Sequence, residues 1–317
     1  MMSKYKGKFA VGAIGIFLVL VAVGVSEFHF GIFKKTVFTY KVKHYLEQTY
    51  SEPMTIKRVS YLWDNIEPLS ARVHPQGESN LEFSVYPRKE EISGFLDDYA
   101  NILWLHQAKE ELDKRLMSIE SDFKNVLYLD FTCCTTSSPD DKLSEGKVPA
   151  YNEANLTFDV TFQLNRGLEP NDLEHMYHIL NALKKQEQPA FGTLLFLLHP
   201  EDESYRIEYR IPSANLKDIH TAADLKAYNE SRFPARELAA MIGANVLWDE
   251  SSSQVVFTKG DRVLEFNHWG EEVLMNGTPI QNPLPLFPGD HGQVLVPVAV
   301  IEEAFQIEVS LIEPFIS

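Results

Sequence analysis

Apolar and polar positions divide the chain into an apolar leader, a mixed middle and a turn-rich C-terminal third. Phe9 to Val25, "FAVGAIGIFLVLVAVGV", carries no charged or strongly polar side chain. As a helix it spans about 26 Å, near the lower limit for crossing a bilayer core. The flank "SEFHFGIF" places aromatic rings where an interface favours them. "TVFTYKVKHYLEQTY", residues 36–50, predicts a helix with Val37, Tyr40, Val42, Tyr45 and Leu46 on one side, ended by Pro53. Period-two alternation then predicts three strands: "MTIKRVSYLW", whose phase slips at Val59, "LSARVHP" and "LEFSVYP". "HPQGESN" is the turn between the last two. A long helix is expected over about residues 92–119, with Leu96, Tyr99, Leu103, Ala108, Leu112 and Leu116 in its buried stripe.

Strands return at "NVLYLDFTCC" and "NLTFDVTFQL", separated by the polar loop "SSPDDKLSEGKVPAYNEA". "PNDLEHMYHILNALKKQE" predicts a helix capped by Asn171, with Glu174 closing a capping box. "FGTLLFLL" and "SYRIEYRI" form a hairpin around "HPEDE". Residues 36–215 therefore predict an α+β region, an antiparallel sheet with helices packed on one face.

The C-terminal third uses one device twice, as "FPARELAAMIGANVLWD" (233–249) and "VPVAVIEEAFQIEV" (296–309). Pro234 aligns with Pro297, Leu238 with Ile301, Ile242 with Phe305 and Val246 with Val309. Proline suits a first helical turn, and Gly243 stops the first helix in the left-handed conformation. Gln306 stands at the matching position of the second copy, where the helix end is less defined. A β-meander lies between, with turns at Gly260-Asp261 and Asn276-Gly277. The two short helices are expected to cover its apolar face, and "FQIEVSLI" to add a closing strand.

Composition narrows the function. Of 317 residues 44% are hydrophobic and 23% charged, as in folded proteins, and the net charge is −16. That balance argues against nucleic acid as a partner. It also disfavours adhesion to anionic lipid or wall polymer by overall charge, which only a local basic patch or bridging divalent cations reverse. Lys4, Lys6 and Lys8 precede the apolar run, so residues 1–8 are expected in the cytoplasm, residues 9–25 as a transmembrane signal anchor, and the rest outside. Removing those three lysines from 29 basic against 45 acidic residues leaves −19 on the exported part. A cleaved signal peptide is the alternative, although "AVG" at Ala22–Gly24 matches A-x-A poorly; a buried helix is a third reading. Cys133 and Cys134 are adjacent, so no disulfide framework follows. They suit two thiols at a strand end better than a strained vicinal disulfide or an incomplete metal pair.

Candidate chemistry is sparse. His175 and His178 share a helix face beside Glu174 but lack the His-Glu-x-x-His order of zinc peptidases. Asp290-His291 sits in a Gly-rich loop. The pairs Glu90-Glu91, Asp97-Asp98, Glu110-Glu111 and Glu302-Glu303 serve as glycosidase acids only if fixed across a cleft. No nucleophile elbow, phosphate loop or dinucleotide fingerprint occurs. Trp63, Trp104 and Trp248 are core candidates, whereas His268 and Trp269 are the candidate partner-binding residues. No catalytic residue, cofactor or metal is expected.

The C-terminal motifs, "ARELAAMIGANVLWDESSSQVVFTKGDRVLEF", "VLMNGTPI" and "QVLVPVAVIEEAF", resemble the copper amine oxidase N-terminal-like (stalk) domain over about residues 232–310. The resemblance implies a small helix/β-meander domain, over residues 216–317 here, that is non-catalytic and common in exported Firmicutes proteins; it imports no copper chemistry. "KHYLEQTYSEPMTIKRVSYLW" and its neighbours, over about residues 36–120, resemble helix-plus-curved-sheet modules of exported Gram-positive proteins. The resulting expectation is a non-catalytic binding or scaffold protein of a Gram-positive bacterium. It would be a single-pass membrane protein held in the lipid bilayer by residues 9–25, its C-terminus extracytoplasmic, engaging an extracellular protein or cell-wall component. The alternative is a cell-wall hydrolase or peptidase with its site in residues 36–215.

Overall fold

The computed structural model describes residues 3–64, 69–88, 94–125, 127–131, 146–151, 153, 157–184, 191–200, 204–249, 254–267, 272–281, 284–288 and 293–311. The chain divides into two compact units, Met1–Ala108 with Thr136–Ala154, and Lys109–Thr135 with Asn155–Ser317. Both mix helices with mainly antiparallel sheets, so the fold is α+β.

The first unit begins with α1 (Ser3–Phe30) and α2 (Ile32–Thr49). Among the described residues no single helix is long and apolar enough to cross a membrane. Phe17–Phe30 together with Ile32–Thr49, bent by 50°, passes on length and composition. The strands β1 (Met54–Tyr61), β2 (Leu69–Pro75), β3 (Phe83–Pro87) and β4 (Phe95–Asp97) form one antiparallel sheet in that order. The phase slip seen at Val59 is a register shift between Ile56 and Arg58. Ala71, Val73, Phe83 and Val85 are buried, as period two requires.

Two expectations are corrected in this unit. α2 buries Phe38, Val42 and Leu46, with Tyr50 following, and leaves Val37 and Tyr40 exposed at 55% and 76%. The stripe is rotated because the Phe38 ring packs on Phe95, 5.8 Å between centroids. The helix expected from residue 92 begins later, as α3 (Tyr99–Leu116), after the edge strand β4. Carboxylates make that corner: Asp97 accepts the hydroxyls of Tyr45 (2.6 Å) and Tyr50 (2.8 Å) and the Tyr99 N–H, and Asp98 accepts the Ser84 N–H at 2.6 Å. These bonds satisfy backbone donors that neither strand nor helix reaches.

In the second unit β5 (Leu127–Phe131), β6 (Phe158–Leu164), β7 (Phe191–Leu198) and β8 (Ile207–Pro212) form a sheet in that order. β6 and β7 run parallel, not antiparallel as expected, with α4 (Asp172–Lys184) between them. A parallel pair needs such a crossover. Met176, Ile179, Leu180 and Leu183 of α4 are buried, as are Phe162 and Phe196 on the sheet. The first turn of α4 is organised by Asp172 and not by the expected Asn171–Glu174 box. Asp172 is 1% exposed, takes a two-bond fork from Arg166 (2.7 and 2.8 Å) and accepts the Glu169 N–H.

The duplicated device now has a geometric meaning. β9 (Arg232–Pro234) leads into α5 (Ala235–Ile242), and β16 (Val294–Pro297) leads into α6 (Val298–Phe305). The two lead-in strands pair antiparallel, with Arg232 opposite Pro297, Phe233 opposite Val296 and Pro234 opposite Leu295. Since Phe233 and Val296 are the aligned positions of the two copies, a local two-fold axis passes between them. Aligned residues share burial: Leu238 and Ile301 are fully buried, Ile242 and Phe305 nearly so. Gly243 and Gln306 both take left-handed backbone, φ 65° and 56°, so both helices stop alike. Gln306 tolerates this with its carboxamide oxygen held by Arg262 at 2.8 Å.

Between the copies, β10 (Asn245–Asp249), β11 (Gln254–Lys259), β12 (Arg262–Asn267), β13 (Glu272–Met275) and β14 (Thr278–Ile280) form the expected meander. Its second turn has Asn276 and Gly277 at φ 51° and 74°. β15 (Phe287–Pro288) pairs with β16. The expected closing strand does not form at residues 307–311; instead Glu302 gathers the chain, its carbonyl accepting Ile307 N–H and its carboxylate Val309 N–H at 2.8 Å.

Glu302 supplies a pH prediction. Burial, then the nearby Glu308, raise its pKa against the opposing Val309 bond and Lys226. A carboxyl raised on folding takes up its proton more readily in the folded state, so this group opposes folding at neutral pH and the opposition fades as pH falls through its folded pKa. Glu302→Gln retains the acceptor oxygen. It should be at least as stable at pH 7 and should flatten the stability profile just above the ordinary glutamate range, measured by urea titrations at successive pH values.

Candidate functional site

The feature with the most unusual surface chemistry lies in the first unit, where α1 passes into α2. Gly31 sits at the bend with left-handed backbone, φ 55°. Its N–H still reaches the Glu27 carbonyl at 2.9 Å, and Lys35 N–H reaches the Gly31 carbonyl at 2.7 Å, so hydrogen bonding is nearly continuous. The Glu27 carboxylate caps the new helix by accepting Phe33 N–H (2.8 Å) and Lys34 N–H (3.0 Å). The Tyr61 ring, at the end of β1, lies against Gly31, and its hydroxyl accepts from Lys34 Nζ at 2.9 Å. A Cβ on residue 31 would stand 2.5 Å from Tyr61 Cδ1. Gly31→Ala should therefore loosen this junction by about 2 kcal/mol, from left-handed strain together with the overlap. Hydrogen exchange at the amides of residues 32–36 reads that loosening.

Aromatic side chains surround the bend. Phe28, His29 and Trp63 meet with centroids 5.3–5.5 Å apart, and Phe30, Phe33 and Leu62 stand exposed beside them. Trp63 is 51% exposed and Trp248, on the edge strand β10, 41% exposed; neither is the core residue expected. Trp104 is buried, its indole N–H bonded to the Pro149 carbonyl at 2.8 Å. From Phe28 to Leu46 the chain has no acidic residue but carries Lys34, Lys35, Lys41 and Lys43. Glu27 and Glu47 bound this stretch, the latter 3.9 Å from Lys43.

An open cleft of about 620 Å³ adjoins the collar. Phe33, Val37 and Tyr40 form its helix wall, Leu69 and Phe95 its sheet wall, and Lys41 and His44 part of its rim. The turned stripe of α2 makes this possible, because it leaves an apolar face outside the core.

Among the described residues, the groups named from sequence do not assemble a catalytic geometry. His175 lies 4.0 Å from Asp172 on a half-exposed face, and His178 is exposed. Asp97 and Asp98 serve the strand–helix corner, Glu111 pairs with Arg115, and Glu302 holds residues 307–309. Among the described residues no three His, Cys, Asp or Glu side chains gather as a metal site. Glu90, Glu91, Cys133, Cys134, His268, Trp269, Asp290 and His291 lie outside the described residues.

A buried charge cluster was not visible in the sequence. Glu208 on β8, 2% exposed, faces Arg206 (2.8 Å), Arg210 (2.6 Å) and Arg232 (3.6 Å). The bridge between Arg206 and Arg232 brings the sheet of β5–β8 against β9, and the Arg232 guanidinium lies over the Phe287 ring at 4.6 Å. Burial pushes Arg232 below its ordinary pKa, with Glu208 pulling it up and Arg206 pushing it down. For Arg210 burial is outweighed by the hydrogen bond and charge of Glu208, which hold it above. The arrangement is a structural clasp with every acidic oxygen engaged, not an open anion site.

Residues 217–313 match the family model of the Copper amine oxidase N-terminal domain, over the helix, meander and helix described above. That domain is non-catalytic. No curated protein and no solved structure matches the chain.

Proposed function

We propose that this chain is a membrane-anchored, extracytoplasmic, non-catalytic binding or scaffold protein of a Gram-positive bacterium. Residues 9–25 hold it in the bilayer as a single pass, its C-terminus lies outside the cell, and its folded units engage a protein or cell-wall partner. The observation that carries this reading is the collar at Gly31. An apolar helix gives way there to exposed aromatics, Phe28, Phe30, Phe33 and Trp63, the belt of rings found where a helix leaves a bilayer. The non-catalytic domain over residues 217–313 supports the rest.

The test is protease treatment of intact cells, followed by capture of partners with the full chain after crosslinking. Loss of the C-terminus to external protease and recovery of a reproducible wall or protein partner are expected. A C-terminus protected in cells whose surface is open to protease would overturn the topology. Turnover of wall polymer or peptide by the purified chain would install the hydrolase reading in its place.

A further inference from the structure

Resting on the extracytoplasmic reading for the source of its ligand, we propose that the outer face of the β1–β2 pair binds a phosphodiester polymer of the cell wall. Lys57, Arg58 and Arg72 hold the phosphates.

Three observations lead there. The first is a bulge. Ile56 lies opposite Val73 and Arg58 opposite Arg72, so Lys57 is an extra residue in β1. Ile56 and Val59 pack into the core beneath α2, and the bulge between them leaves both Lys57 and Arg58 exposed on the outer side. Strict alternation would have exposed Lys57 alone. The second is a conflict of charge. Arg58 and Arg72 stand directly opposite each other across the strand pair, roughly 5 Å apart at Cα. Like charges in that position oppose strand pairing. Neither guanidinium has an ion-pair or hydrogen-bond partner among the described residues. The third is composition. β1 and β2 contain no acid, in a chain of net charge −16. Two acids border the face and both are engaged, Glu82 by Lys57 and Asp98 by the Ser84 N–H at 2.6 Å. Glu82 shows what the cations do to an anion. The Lys57 hydrogen bond, then the charges of Lys57, Arg72 and Arg58, outweigh desolvation and hold its carboxyl below the ordinary glutamate range.

Two arginine forks side by side match the oxygens of a phosphate. The face is open, so a single phosphate on it stays largely in water. A chain of phosphodiesters crossing both strands meets all three cations and releases its counterions. At this one place a local basic patch reverses the repulsion expected between an acidic chain and an anionic wall polymer.

The experiment uses the full chain in neutral detergent, with fluorescent poly(glycerol phosphate) as the probe and anisotropy as the readout at successive salt concentrations. Binding that weakens with a log–log salt slope of about −2 is expected, roughly −0.7 for each phosphate met by one of the three cations. Arg58→Gln with Arg72→Gln should lower affinity at least tenfold. The urea midpoint of this variant should not fall, because an opposed like-charge pair has gone; that separates a binding role from a structural one. Lys41→Gln with Lys43→Gln removes the same charge from exposed positions of α2, which covers the other face of the sheet, and should change affinity less than twofold. Equal losses in the two double variants would reduce the effect to overall charge and overturn the site. Phosphatidylglycerol vesicles and polyglutamate serve as competitors. Displacement by either as effective as by unlabelled polymer would overturn the choice of polymer, in favour of a lipid surface or an acidic polypeptide. No binding by a chain whose C-terminus is open to external protease would overturn this proposal alone. A C-terminus inside the cell would overturn the wall as the source, and the binding of the purified chain would still report on the site.

Discussion

Glu208→Ala is expected to destabilise the second unit by about 3–5 kcal/mol, the cost of removing one partner from a buried charge cluster. Three guanidiniums converge on this carboxylate, and none can shed its proton to escape. Arg210 retains Glu230 at 3.1 Å, but Arg232 is 6% exposed and its Nε has no hydrogen-bond partner among the described residues. Arg206 Nε approaches Glu208 at 2.8 Å without hydrogen-bond alignment, so its attachment is chiefly charge. Without Glu208 the buried Arg232 is left beside Arg206, a like charge whose side chain is 41% exposed. Glu208→Gln keeps the shape and loses the charge, so it should fall between wild type and alanine. Hydrogen exchange of the amides in Ile207–Pro212 measures the loss, and added anions should partly restore it. The exposed pair Lys226–Glu308 in the same unit is the control: Lys226→Ala should change nothing measurable, because water already screens it. A Glu208→Ala variant as stable as that control would show the clasp to be incidental.

The contrast explains what the sequence disclosed. Local order was legible because short-range sterics dictate it: the strands of "LSARVHP" and "LEFSVYP", the left-handed stop at Gly243 and the Asn276-Gly277 turn all stand where period and turn chemistry put them. Even the bulge in β1 was present as a slip of phase. Features settled by distant partners were not legible. α2 offers two apolar faces, and the sheet residues Ala71, Val73, Phe83 and Val85, distant in sequence, decide which is buried. The parallel pairing of β6 and β7 depends on where the chain returns after α4. The cleft follows from the first of these, since it is the face of α2 that lost the contest, closed by an edge strand expected to be helix. The collar was half legible: its lysines and phenylalanines are consecutive in sequence, but Trp63 arrives from the end of β1. Glu208 shows the limit most clearly. In "SYRIEYRI" the alternation places Arg206, Glu208 and Arg210 on one face, the pattern of a solvated strand surface. Only the arrival of Arg232 with Ser231 from β9 and the loop before it buries that face.

The second large effect is expected at the axis relating the two copies. Phe233 is fully buried, lies opposite Val296 and stacks on Tyr205 with centroids 4.8 Å apart. Phe233→Ala should cost about 3–5 kcal/mol, the lost transfer energy of the ring plus the cavity it leaves. Val296→Ala, at the equivalent place in the other copy, removes two methyl groups and should cost about 2 kcal/mol. The asymmetry is informative because the backbones around the two residues match. A device repeated for its strand-to-helix geometry needs like backbones, while the space at its centre is filled once, by one large and one smaller side chain. Cβ groups that face each other across the strand pair share their neighbours, so the double variant should fall short of the sum by about 0.5 kcal/mol or more. Urea unfolding of the four proteins, followed by exchange of the amides in α5 and α6, reads each cost. If the axis organises the domain, Phe233→Ala loosens α6 as much as α5, although residue 233 precedes α5 alone. Loss confined to α5 would mean that the two copies fold as independent pieces, and that their pairing is a consequence of the meander and not its support.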